Sequence, residues 1–178
     1  MRRLALALAL LLASGALAFG ASLAPPRTPE ARWTTPGGEP VEAVAGYRVV
    51  DYRDAGEGGG DWALVGQGRA GGNGTRHLFM VEGPLAARVA LSVPSEAVAF
   101  MMDGDSNEGF ATFLIDGQEV GTWDMYNRSM QTLVVTDLPM RPHTLEVRMT
   151  GRKRPTSRGV HVSLYGGSAL VREVIAAR

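Results

Sequence analysis

From Tyr47 onward, short apolar runs are separated by clusters of Gly, Pro, Asp and Asn. Tyr47–Asp51, Trp62–Val65, His77–Val81, Ala86–Val93 and Ala97–Met102 each read as a strand. So do Phe110–Ile115, the return run to Asp124, Met130–Thr136, His143–Thr150, Val160–Tyr165 and Ala169–Ile175. In His143–Thr150, Leu145, Val147 and Met149 share one side, and Thr144, Glu146, Arg148 and Thr150 share the other. That period of two belongs to a strand with one buried face. No long window after Pro25 carries helical periodicity, and Val171–Arg178 fits a last strand better than a short helix. About ten or eleven short strands at 8–12-residue spacing predict an all-β sandwich or barrel.

The architecture is anchored by Asp103–Tyr126, which reads as a polar loop, a strand, a turn and a returning strand. Phe110, Thr112 and Leu114 alternate with Ala111, Phe113 and Ile115. Asp116-Gly117 is the dipeptide that most readily supplies the positive backbone angles of a two-residue hairpin. On the return, Val120, Thr122 and Asp124 alternate with Glu119, Gly121 and Trp123.

The first residues change the picture from a bare domain to an exported one. Arg2 and Arg3 precede an apolar run from Leu4 to Leu12, then small residues to Ala24. This is the order of a secretory signal, with Ala16-Leu17-Ala18 as a cleavage signature. The run approaches the ~20 residues of a membrane anchor, but Gly15, Gly20 and several Ala make a weak spanning helix. Residues 1–24 are expected to be a signal peptide and 25–44 a Pro/Gly-rich arm. Within the arm, Trp33 is expected to tack the segment onto the domain formed by residues 45–178. No membrane span is expected after cleavage, and the location would be secreted, periplasmic or cell-envelope.

Without Arg2 and Arg3, 16 basic residues face 18 acidic ones, a formal charge of about −2 that argues against a nucleic-acid binder. Cysteine is absent, which excludes disulfides and thiolate zinc sites.

Three groups of residues carry candidate chemistry. Asp103, Asp105, Asn107 and Glu108 place four oxygen-bearing side chains within six residues. Hard cations such as calcium take six to eight oxygen ligands, so the residue types suit one. The spacing is not that of a helix-loop-helix calcium loop, since Leu114 stands where its bidentate Glu would be. The alternative is a solvated turn whose side chains bond their own backbone. Trp62, Trp123, Tyr126 and Tyr165 are aromatics near loops. Of these, Trp123 and Tyr126, close to Asp124, Asn127 and Arg128, form the best exposed pair for stacking on a sugar ring. Arg148, Arg152, Lys153, Arg154 and Arg158 make a basic region that could meet an anionic polysaccharide, a lipid head group or an acidic loop. The three histidines show no metal-ligand spacing, and no nucleophile turn of the Gly-x-Ser-x-Gly type is present. Asn73-Gly-Thr and Asn127-Arg-Ser match glycosylation acceptors.

The order Gly104-Asp105-Ser106-Asn107-Glu108-Gly109, apolar strand, Asp116-Gly117, Val120 and Asp124-Met125-Tyr126 resembles the galactose-binding-like jelly-roll domains. Gln131–Val135, Leu138-Pro139, Pro142–Val147 and Pro155–Val162 continue the likeness. The resemblance implies a β-sandwich of about 8–11 strands, often with a structural calcium, and ligand contacts on loops at one edge. It is similar to carbohydrate-binding modules, which implies a non-catalytic module that recognises carbohydrate or a cell-envelope polymer. Trp123 and Tyr126 would stack on the ligand, with Asp124, Asn127 and Arg128 hydrogen-bonding it, and no other cofactor is called for. The alternative is an envelope structural or protein-interaction domain with a protein partner and no sugar. A stand-alone glycoside hydrolase would need two carboxylates ~5–10 Å apart in an open cleft.

Overall fold

The computed structural model describes residues 28–34, 46–56, 60–71, 77–128 and 130–173. The expected signal peptide (1–24) and the acceptor motif at Asn73 lie outside the described residues, as does Ser129 of the second motif.

The chain is an all-β jelly-roll sandwich, and every element described is a strand. In order these are β1 (Glu30–Trp33), β2 (Tyr47–Asp54), β3 (Ala63–Gly66), β4 (Arg69–Gly71), β5 (Leu78–Glu82) and β6 (Leu85–Ala90). They continue with β7 (Ala97–Asp103), β8 (Phe110–Ile115), β9 (Gln118–Asp124), β10 (Gln131–Thr136), β11 (Thr144–Met149) and β12 (Val162–Arg172). One antiparallel sheet runs β1-β10-β7-β12-β5-β4, with β2 also paired to β12. The other is five-stranded, β3-β6-β11-β8-β9. β12 bonds β7 along one edge and is shared along the other, with β5 taking Val162–Leu164 and β2 taking Gly166–Arg172.

The described total of twelve strands differs from the expected ten or eleven for local reasons. β1 forms within the Pro/Gly-rich arm and pairs with β10, from Glu30 opposite Thr136 to Trp33 opposite Leu133. β4 forms within a Gly-rich stretch that reads as loop. The two closing runs fuse into β12, because Gly166 and Gly167 continue the ladder. A side chain at either glycine would collide with neighbouring atoms, at Arg53 and Tyr52 or at Leu145 and Trp62.

Between the sheets lie Phe100, Phe113, Leu133, Leu145, Val147 and Leu164, all buried. Burial of such side chains contributes about 1.5–3 kcal/mol each and sets the register of every strand that carries them. The expected hairpin turn is present, with Asp116 at φ 52° and Gly117 at φ 80°. No helix among the described residues is long and apolar enough to cross a membrane.

Candidate functional site

Three connections meet at the end of the sandwich opposite that turn: Gly104–Gly109 after β7, Met125–Arg128 after β9, and Thr150–His161 before β12. They are joined by backbone bonds. Met125 N–H donates to the Gly109 carbonyl at 2.9 Å, Asn127 N–H to Asp105 at 3.1 Å, and Arg158 N–H to Ser106 at 2.9 Å. Phe110 N–H donates to the Arg152 carbonyl at 2.9 Å, and His161 N–H to Asn107 at 3.1 Å. Ser157 Oγ lies 2.7 Å from the Glu108 carbonyl oxygen, inside the junction. Gly104 is needed here because a Cβ would strike the carbonyl oxygens of Met125 and Arg128. Loops bonded in this way form a preformed surface, so a ligand need not order them.

The basic loop lies against the acidic loops of its own chain. Asp124 Oδ2 accepts from Arg154 Nε at 2.7 Å and Nη2 at 2.5 Å, while Oδ1 accepts the Tyr126 N–H at 3.0 Å. The Arg154 guanidinium stands 4.8 Å over the Tyr126 ring, and that of Arg152 stands 5.3 Å over Phe110. Lys153 Nζ donates to the Ser157 carbonyl at 3.0 Å. Arg154 is the residue that sequence reasoning left out of the binding group. Its signal was the charge contrast, since six acidic and no basic side chains fall between Asp103 and Asp124.

The remaining expected residues divide between surface and interior. Arg128 Nε donates to the Asp124 carbonyl at 2.7 Å and Nη1 to Gln131 at 3.1 Å, and its guanidinium stands 4.7 Å over Trp33. Asn127 is exposed in the left-handed region at φ 51°, where an amide side chain is tolerated. Trp123 is half-buried on the core side of β9, edge-on to Trp33 at 5.7 Å and Phe113 at 5.5 Å, with its ring over Gly121. Asp124, Tyr126 and Arg128 are therefore brought together with Arg154, while Trp123 braces the strand from behind. Trp62 is buried and donates Nε1–H to the Arg53 carbonyl at 3.1 Å. Tyr165 stacks on His77 at 4.6 Å.

In the first loop, Asp103 Oδ1 accepts the Gly104 N–H at 2.9 Å and Asp105 Oδ1 accepts the Ser106 N–H at 2.5 Å. Asn107 Nδ2 lies 3.0 Å from His161 Nδ1. Glu108 turns inward and is buried, with Oε1 accepting from Ser163 Oγ at 2.6 Å and Oε2 receiving no hydrogen bond. Burial pushes its carboxyl up to about 7; Ser163 opposes the rise, and the charges of Asp103 and Asp105 add to it. Asn107 Oδ1 is likewise buried without a donor. No three His, Asp or Glu side chains converge as a metal cluster among the described residues. Among the loop's side-chain oxygens, the buried ones without a donor are Glu108 Oε2 and Asn107 Oδ1.

Solved structures to which the chain is similar include three that differ in kind. One is a family two carbohydrate esterase from Cellvibrio japonicus, 11% identical over 80% of this chain and 34% of that one, TM-score 0.45. Another is a Paenibacillus xanthan lyase, 18% identical over 76% of this chain and 13% of that one, TM-score 0.43. The third is a family 35 carbohydrate binding module from an environmental isolate, 15% identical over 74% of this chain and 94% of that one, TM-score 0.34. The chain thus spans well under two thirds of either enzyme. No family model and no curated protein matches it.

Proposed function

We propose that the chain is an exported, non-catalytic module that recognises carbohydrate at the loop end of the sandwich. The observation that carries this reading is Tyr126, held beside Asp124 and Arg154 on loops already locked together. An aromatic ring ringed by fixed donors and acceptors suits a sugar, whose C–H face stacks while its hydroxyls bond the rim. Tyr126 supplies the ring face turned away from the Arg154 guanidinium, and Asp124, Asn127, Arg128 and Arg154 the polar contacts. Calcium is the structural cation this reading adds, at the loop that carries Asp103, Asp105, Asn107 and Glu108.

The test is affinity electrophoresis against a panel of soluble plant and bacterial glycans. Retardation by at least one glycan, weakened tenfold or more in Tyr126→Ala with unfolding temperature unchanged, is expected. Equal retardation of wild type and variant, or none by any glycan, removes the reading.

One observation favours a protein-docking alternative. β3 is an edge strand exposed along its whole length, with Leu64 at 41% and Val65 at 42% exposure. Apolar edges invite strand addition by another chain. A partner whose capture is lost in Leu64→Lys while glycan binding is absent would favour that reading.

A further inference from the structure

The sequence groups Arg148 with the basic loop, but the fold separates them. Arg152, Lys153 and Arg154 are engaged at the loop end, whereas Arg148 stands on β11, on the outer face of the five-stranded sheet. There Glu146 pairs in register with Arg88 of β6. Glu146 Oε2 accepts from Arg88 Nε at 2.7 Å and Nη2 at 2.5 Å, and Oε1 accepts from Arg148 Nε. Burial alone would raise the Glu146 carboxyl, yet the hydrogen bonds and charges of the two arginines hold it below the usual range.

The Glu146 side chain is only 5% exposed, while the Arg88 and Arg148 side chains are 46% and 49% exposed. Two cations therefore flank one anion, leaving the trio with a single positive charge. Arg148 meets Glu146 through Nε, and Glu146 is the one acceptor that either arginine reaches among the described residues. A half-exposed ion pair stabilises a fold little. A buried carboxylate does fix the direction of both planar forks. The same face holds a shallow groove of about 260 Å³ beside the two arginines, whose apolar side on this face is Val65, Pro84 and Ala86.

We propose that this face binds carboxylate groups of an acidic polysaccharide, at a site separate from the loop end. The half-exposed guanidinium of Arg148 presents a planar fork that matches a carboxylate, that of Arg88 adds a further donor group, and the apolar side of the groove takes the C–H face of the ring. One carboxylate also neutralises the surplus charge. The inference rests on the carbohydrate reading but names a different surface and an acidic sugar.

The test is titration of the full chain with polygalacturonate in chelator, so that no divalent cation bridges acid to acid. Fully methyl-esterified polygalacturonate and dextran sulfate serve as controls. Polygalacturonate should bind and its methyl ester should not. Arg148→Gln should weaken binding at least tenfold. Arg148→Lys keeps a charge beside Glu146 but loses the fork, and should bind several-fold weaker with unfolding temperature unchanged. Equal binding by Arg148→Lys and wild type, equal binding of the ester, or equal binding of dextran sulfate overturns the carboxylate site. A neutral glycan bound through Tyr126 with no acidic glycan bound leaves the loop-end reading standing and this one fallen. Polygalacturonate bound through Arg148 with Tyr126→Ala silent toward every glycan gives the reverse.

Discussion

Glu108 shows how far a residue's role can depend on partners distant in the chain. In the sequence it is one of four comparable oxygen donors. Its inward turn is set by Ser163, 55 residues away on β12, and no local pattern encodes that contact. Because its folded pKa lies near 7 against an ordinary value of 4.5, the native state holds a proton that the unfolded chain has released between those values. Stability from this group is present below about pH 4.5 and lost as pH rises through about 7. In chelator, wild type is expected to lose on the order of 3 kcal/mol relative to Glu108→Gln between pH 4.5 and pH 8. Urea unfolding at the two pH values checks this, and parallel pH profiles would show that the carboxyl does not carry the effect. Trp123 teaches the same lesson in reverse. Strand alternation correctly separated it from Asp124, but which side faced inward was settled by Trp33 and Phe113.

Among the elements, the β8–β9 hairpin was the most legible, because a two-residue turn leaves few backbone choices. Its turn is also tied to the rest of the fold. Asp116 Oδ2 accepts from Arg141 Nη2 at 2.7 Å and from His143 Nδ1 at 2.8 Å, and Oδ1 accepts the Thr144 N–H at 2.8 Å. Burial would raise this carboxyl, but those bonds and the neighbouring charges hold it below its usual range. Its contribution is therefore present at neutral pH and lost as pH falls below the ordinary carboxylate range. Asp116→Asn, which keeps the turn backbone, should cost about 1–3 kcal/mol at pH 7 and much less at pH 3, read by thermal unfolding. β1 and β4 were not legible, since three or four residues amid Gly and Pro carry too short a pattern. What holds β1 is Trp33, whose ring meets Phe113 and Trp123 edge-on. Trp33→Ala should cost roughly 2 kcal/mol, less than for a fully buried ring. Hydrogen exchange should then accelerate along the β1–β10 ladder, while an unchanged ladder would mean that backbone pairing alone secures the strand.

At the scale of the whole molecule, composition and the period of two pointed to two packed sheets. They could not say which loops would share an end, because that depends on strand order across both sheets. The sandwich gathers an acidic and a basic loop at one end, so part of the charge contrast in the sequence is met within the chain, by the Arg154–Asp124 pair. The proposed cation has its test here. Millimolar calcium should raise the unfolding temperature above that in chelator, with a larger shift at pH 8 than at pH 5, because the Glu108 proton and the cation compete for one carboxyl. No shift at either pH would return the loop to a capped turn.

The sharing of β12 between β7 on one edge and β5 and β2 on the other has a mechanical consequence. A load drawn along this strand from its Arg172 end stretches two ladders side by side, so many bonds must shear before any part slides free. A load on β1, bonded to β10 alone among the described strands, meets one short ladder that can open a rung at a time. Pulled singly between two anchors, the protein should shed β1 at low force and surrender β12 in one abrupt step.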